Sequence, residues 1–290
     1  MTSKGSKMVV WGFLAVWALF MIVFTFYDLN LSQAVYNAES KFGHFFEVYG
    51  EHPALIILFA AGSILFNTAK YRQGMSNLFI RLVGGLFILL GGFAGVLFVF
   101  VRGFDRSDGT AMLISLAVTA AIAVIVQLLL NRIPEDTLKM YNKAAWAGIA
   151  IIFAEMLVVN VVKIFWGRLR FREMGDDFSQ FSRWFLPNGI QENGVTGEAY
   201  KSFPSGHSAN GWAIWAGLLF MPLKNKWRSA MLVIAIVWGL CTSYSRIIMG
   251  AHFATDVLVG AFITIACMLI ICKWFKIELY PPVGTELQAR

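Results

Sequence analysis

The sequence predicts an all-α protein, a polytopic transmembrane helical bundle of about eight spans. Three observations carry this: composition, the lengths of the apolar runs, and the placement of positive charge. The chain has 290 residues, of which 58% are hydrophobic and 14% charged, and its mean hydropathy is +0.65. Soluble domains carry about 25% charged residues, and a soluble fold of this length cannot hide so much apolar surface, whereas a bilayer can. The 26 Phe and 10 Trp suit rings packed against lipid and at its interface.

Eight apolar stretches lie between charged or turn-forming residues, at 9–26, 54–66, 79–101, 110–130, 144–166, 208–221, 228–244 and 253–275. About twenty residues cross a bilayer core, so the second and sixth are short. Flanking polar residues would extend them, or they lie beside a water-filled site. Lys4 and Lys7 ahead of the first run resemble a signal peptide. That run has full spanning length and no small-residue cleavage site follows it, so it reads as a retained first helix. The chain divides into an N-terminal transmembrane region of about four spans (1–143), a C-terminal membrane region of about four (144–276) and a tail (277–290).

Lys70, Arg72, Arg81, Arg132, Lys139, Lys143, Lys224, Lys226, Arg228, Lys273 and Lys276 all fall on one side of such a bundle. The positive-inside rule makes that side, with both termini, cytoplasmic. On the opposite side, residues 27–53 carry Phe42, Phe45, Phe46 and Tyr49 and predict an amphipathic interfacial helix. The largest polar stretch, 167–207, contains Arg168, Arg170, Arg172 and Gly194. Arginines on that side are either tolerated exceptions or face an anion. The net charge of +7 does not point to nucleic acid, because the positive residues are scattered between apolar runs. Cys241, Cys267 and Cys272 lie in apolar segments without metal-ligand spacing and read as small buried hydrophobes.

Three clusters at span ends on the outer side carry chemistry. In the third, Ser245-Arg246 is followed by His252 and Asp256. Four residues apart on a helix, the last two share a face, and the carboxylate would fix the imidazole tautomer and free the other nitrogen as a nucleophile. Arg246 at membrane depth implies an anionic partner. The bland alternative is an Arg–Asp pair with a bystander histidine. In the second cluster, Pro204-Ser205-Gly206-His207, Pro204 can begin a helix whose first N–H groups receive an anion. Gly206 admits close approach there, and His207 is placed as a general acid; the alternative is a helix cap. In the first cluster, Lys163 precedes Arg170 by seven residues, two turns of a continuous helix. A point charge and a planar fork suit phosphoryl oxygens, while snorkelling is the alternative for Lys163. Glu155, inside the fifth span, is either a hydrogen-bonded structural acid or part of an ion pathway, the one feature favouring a transporter.

At these residues the chain resembles the type 2 phosphatidic acid phosphatase superfamily. The Pro204–His207 and Ser245–Asp256 motifs match fully. The first departs, with Phe171 where the family has proline, which loosens the expected turn after Arg170. The resemblance implies a metal-independent phosphatase needing no cofactor, with a six-helix phosphatase-type core to which residues 144–276 bring the catalytic part and relative to which residues 1–143 hold one extra pair of spans. His252 attacks phosphorus, Asp256 orients it, and His207 protonates the leaving oxygen. Lys163, Arg170, Ser205, Gly206 and Arg246 hold the phosphate. It also implies a lipid phosphate or isoprenyl diphosphate substrate met at the outer face, and leaves open transfer to another acceptor. The soluble haloperoxidases of the wider family do not fit eight apolar spans.

Overall fold

The computed structural model describes residues 4–190 and 197–279. Those residues form helices and no strand. In order they are α1 (Lys4–Val35), α2 (Lys41–Tyr49), α3 (His52–Thr68), α4 (Gly74–Phe98), α5 (Gly109–Leu130), α6 (Glu135–Met140), α7 (Asn142–Trp166), α8 (Gly206–Trp212), α9 (Arg228–Ile248) and α10 (Ala254–Trp274). Among the described residues, seven helical segments are long and apolar enough to cross a membrane: α1, α2 with α3, α4, α5, α7, α9 and α10. The chain is thus a multi-pass helical membrane protein. Leu113, Ile125 and Leu128 on α5 and Trp11, Ile22 and Phe26 on α1 are exposed, as lipid-facing side chains must be.

The expected sixth span is a broken helix. The seven residues of α8 continue into eight residues of 3-10 helix, Ala213–Phe220. At 1.5 Å per α-helical and 2.0 Å per 3-10 residue, the fifteen reach about 26 Å, close to the hydrocarbon thickness. Stretched in this way, the short run has the length to span. The second short run is extended by its flanks, starting at His52 and ending in a 3-10 turn at Ala69–Tyr71.

One expectation about the N-terminal region changes. α1 runs to Val35 rather than ending near Phe26, because the polar residues of its last turns are buried in the bundle instead of facing water. Asp28 and Ser32 are both buried there, and Phe24, Leu31 and Val35 pack on Ile247, Ala254 and Val257. The amphipathic helix is α2, which buries Gly43, Phe46 and Val48 and leaves Phe42 and Phe45 exposed. The main apolar core joins α3, α4, α7 and α10 through Leu58, Leu65, Phe87, Ile152 and Met268, so the N-terminal helices pack directly on the rest. Of the expected tail, residues 280–290 lie outside the described residues, as does Gly194.

Candidate active site

At one end of the bundle meet the C-terminal ends of α1, α4, α7 and α9, the α2–α3 junction, and the N-terminal ends of α8 and α10. A cavity of about 320 Å³ opens here, lined at its polar end by Lys163, Arg170, Glu198, Gly206, His207 and His252. Ser205, Arg246 and Asp256 stand behind this lining, each buried.

Lys163 and Arg170 reach the cavity from different backbone, not from one helix face. α7 stops at Trp166 because Gly167 adopts the left-handed conformation (φ 55°) and its N–H bonds the Lys163 carbonyl, an αL helix end. The ammonium of Lys163 donates to the Lys201 carbonyl at 3.1 Å. Arg170 pairs with Glu198 at 2.8 Å, and its buried Nε has no protein partner.

The turn after Arg170 survives without proline. Arg170 is extended (φ −73°, ψ 146°) and Phe171–Glu173 form a 3-10 turn. Burial supplies what a fixed φ would have supplied: the Phe171 ring stacks on Phe178 and meets Tyr36 and Phe253 edge-on. Backbone bonds from Arg170 N to Ala199 O and from Arg172 N to Gly250 O complete the anchorage.

Pro204 does not begin α8. Ser205 is the N-cap, its Oγ accepting from Ser208 N at 3.2 Å, and Gly206 is the first helical residue. A side chain at Gly206 would meet only Val159 and Lys163, at ordinary contact distance or beyond; the space it would take is the cavity itself. α8 is pressed against α10 at Gly260, where a Cβ would lie 2.3 Å from the Ser205 carbonyl. Only glycine permits that crossing.

The spacing argument for His252 and Asp256 fails in one respect. His252 precedes the N-cap Phe253, so it is not on α10, and Nδ1 lies 3.9 Å from Asp256 Oδ2. Nδ1 bonds the Ser202 carbonyl at 2.5 Å instead. Asp256 receives Ser202 Oγ at 2.6 Å and Phe253 N at 2.8 Å, so it reaches the imidazole through Ser202. A carbonyl partner makes Nδ1 the protonated nitrogen and leaves Nε2 as the lone pair. Burial first, then the positive charges of Lys163, Arg170 and Arg246, hold His252 well below the ordinary histidine value, so the ring is neutral.

Arg168 is not a cavity residue. It is fully buried, bonding Asp28 Oδ2 at 3.0 Å, Asp256 Oδ1 at 2.5 Å, Thr255 Oγ1 and the Ser182 carbonyl, with Phe253 4.1 Å below its guanidinium. Arg172 pairs with its neighbour Glu173. Of Arg168, Arg170 and Arg172, Arg170 alone lines the cavity, where Arg102 joins it.

Three acidic residues of the N-terminal region, none of them in the motifs, complete the assembly. Asp28 holds Arg168 and Thr255, Glu47 pairs with Arg246 at 3.2 Å, and Glu51 lies 3.5 Å from His207. Their one sequence signal is an isolated carboxylate at the edge of an apolar run, on the side that carries the unexplained arginines. Arg246 keeps Nε and Nη1 buried without partners. Its carbonyl accepts from Ala251 and His252 N–H, fixing the bend that presents His252.

Deeper, the cavity is lined by Leu55, Leu58, Ile152, Met156 and Val159, with Glu155 among them. Glu155 accepts from Thr264 Oγ1, and its other oxygen has no partner.

Residues 143–279 match the model of the PAP2 superfamily. The chain is 32% identical over 119 residues to a lipid A 1-phosphatase of Rhizobium johnstonii, covering 40% of this chain and 43% of that protein. It is 35% identical over 68 residues to phosphatidylglycerophosphatase B of Bacillus subtilis, 22% of this chain and 34% of that protein. It is 27% identical over 116 residues to a lipid A 4'-phosphatase of Bacteroides thetaiotaomicron, 40% of this chain and 46% of that protein. The chain therefore matches less than half the length of each of these relatives. No solved structure matches it significantly.

Proposed function

We propose, from the premise that residues 143–279 belong to the PAP2 superfamily, that the chain is a membrane lipid phosphatase acting through a phosphohistidine on His252. One observation carries the reading: His207 and His252 line a single cavity together with Lys163 and Arg170. An imidazole nucleophile, a second imidazole for proton transfer and two cations for phosphoryl oxygens are the parts that metal-free phosphoryl transfer to a side chain requires.

In the first step the Nε2 lone pair of His252 forms the N–P bond and the P–O bond to the lipid breaks. The leaving oxygen takes a proton from His207. In the second step water gives a proton to His207 and bonds to phosphorus. The N–P bond breaks and its electron pair returns to His252. Lys163, Arg170 and the Gly206 N–H meet the charge that builds on the equatorial oxygens, with Ser205 and Arg246 supporting them from behind. Asp256 is a positioning residue, acting on His252 through Ser202.

The apolar inner part of the cavity suits the lipid portion of the substrate, and Met156 and Asn160, both cavity-lining, are exposed on the lipid-facing side of α7. The names of the relatives favour a phosphorylated membrane lipid. The excess of Lys and Arg in the loops at the far end favours the cytoplasm for that end, and with α8 and its 3-10 extension as an eighth span both termini lie there and the cavity mouth lies at the outer face. In this reading residues 144–276 are the catalytic core and residues 1–143 its membrane anchor and acidic support.

The test is phosphate release by purified protein from a panel of lipid mono- and diphosphates in detergent. At least one substrate is turned over, His252→Ala abolishes turnover, and normal turnover by that variant would end the assignment.

A further inference from the structure

We infer that Glu51, outside the family-matched residues, is the positioning residue of His207 and sets its reactive nitrogen toward the leaving group; this rests on the general-acid role proposed above. Glu51 is buried at the α2–α3 junction, with Oε2 3.5 Å from His207 Nε2. That nitrogen is buried and makes no hydrogen bond in the structure, with the Glu51 carboxylate beside it. A buried imidazole N–H without an acceptor is costly, and Glu51 is the acceptor in reach.

Glu51 is held for this task by two side chains. Asn210, one turn beyond His207 on α8, donates to Oε1 at 2.8 Å. Arg102, in the π-helical turn Val99–Gly103 that follows α4, bonds Oε2 and also the Glu47 carbonyl. Glu51 occupies the N-cap position of α3 yet makes no side-chain cap bond. A carboxylate there would ordinarily satisfy the helix's own free N–H groups; this one turns to α8 instead.

The charged groups facing His207 from the surrounding elements are Arg102, Lys163 and Arg246, with Glu51 the opposing negative charge. His252 is a further electrostatic neighbour, Glu155 lies deeper in the cavity, and Glu198 is engaged by Arg170. An imidazolium ready to give a proton therefore needs Glu51 beside it. Glu51 accepts from Nε2–H and stays ionised throughout. Nδ1 carries the proton that passes to the leaving oxygen as the P–O bond breaks, and the one later returned by water.

General-acid help matters when the leaving group is an alkoxide and hardly at all when it is a nitrophenolate. The experiment compares first-turnover rates of octyl phosphate and p-nitrophenyl phosphate, by rapid quench, for wild type, Glu51→Gln, Asn210→Ala and His207→Ala. Because general acid–base catalysis contributes about 10²–10⁴-fold, Glu51→Gln should slow the octyl ester by about 10²-fold at unchanged KM. The aryl ester should stay within about 3-fold. Asn210→Ala, which loosens Glu51 but keeps its charge, should show a smaller loss of the same selectivity and serves if Glu51→Gln does not fold. Equal losses for both esters, or none, in a background where His207→Ala is selective for the octyl ester would overturn the role of Glu51 alone. Loss of selectivity in His207→Ala itself would overturn the general-acid reading and this inference with it.

Discussion

Arg168 is where removing one side chain has the largest calculable effect. Its guanidinium joins two carboxylates, Asp28 and Asp256, and all three side chains are essentially inaccessible to solvent. In Arg168→Met the stem is replaced by a similar apolar one and the charge is lost. Breaking a buried pair by removing one partner costs about 3–5 kcal/mol. Here one cation serves two anions, so the expected loss is at the upper end, about 5 kcal/mol, or more than 10³-fold in the folded fraction. Asp28 retains Thr255 N and Asp256 retains Ser202 Oγ and Phe253 N, which keeps the cost finite. Neutralising one orphaned acid should recover part of it, so Arg168→Met with Asp28→Asn should be more stable than Arg168→Met alone. The assay is thermal unfolding of purified protein in detergent, followed by tryptophan fluorescence. A single variant melting within a degree of wild type, or a double variant whose losses simply add, would refute this reasoning.

Phe171→Pro restores the family residue but removes a buried ring. Large-to-small core changes at Phe cost about 3–5 kcal/mol, so this variant should melt well below wild type in the same assay despite matching the motif. Lys163→Met should lower kcat/KM by about 10²–10³-fold, the loss seen when one group stabilising transition-state charge is removed; steady-state kinetics measures it. Because those cations supply the charge stabilisation, phosphate release should persist in excess chelator, and a strict divalent-metal requirement would count against the mechanism.

What the sequence made legible follows from how local each signal is. Apolar runs reveal spans because a bilayer demands them, and Lys163, Arg170, Gly206, His207 and His252 are found by motif because their neighbours in sequence are also their neighbours in chemistry. The longer-range partners are not legible in this way. Asp28, Glu47 and Glu51 act on residues 140 to 227 positions away, and a single carboxylate at a helix end has no spacing to recognise. Helical periodicity misled where the helix was not there. Gly167 ends α7 between Lys163 and Arg170, and α10 begins only after His252. The stretch of 3-10 helix at Ala213–Phe220 was hidden for a related reason, since an apolar run specifies that a segment is buried in lipid but not the rise per residue with which it crosses.

The central claim is that His252 carries the phosphoryl group. Rapid quenching of turnover on a labelled lipid phosphate, followed by peptide mapping at alkaline pH, tests it directly. An acid-labile, base-stable phosphate on the peptide containing His252, absent from His252→Ala, is the predicted result. Full turnover with no phosphoenzyme, or label on any other residue, would contradict it.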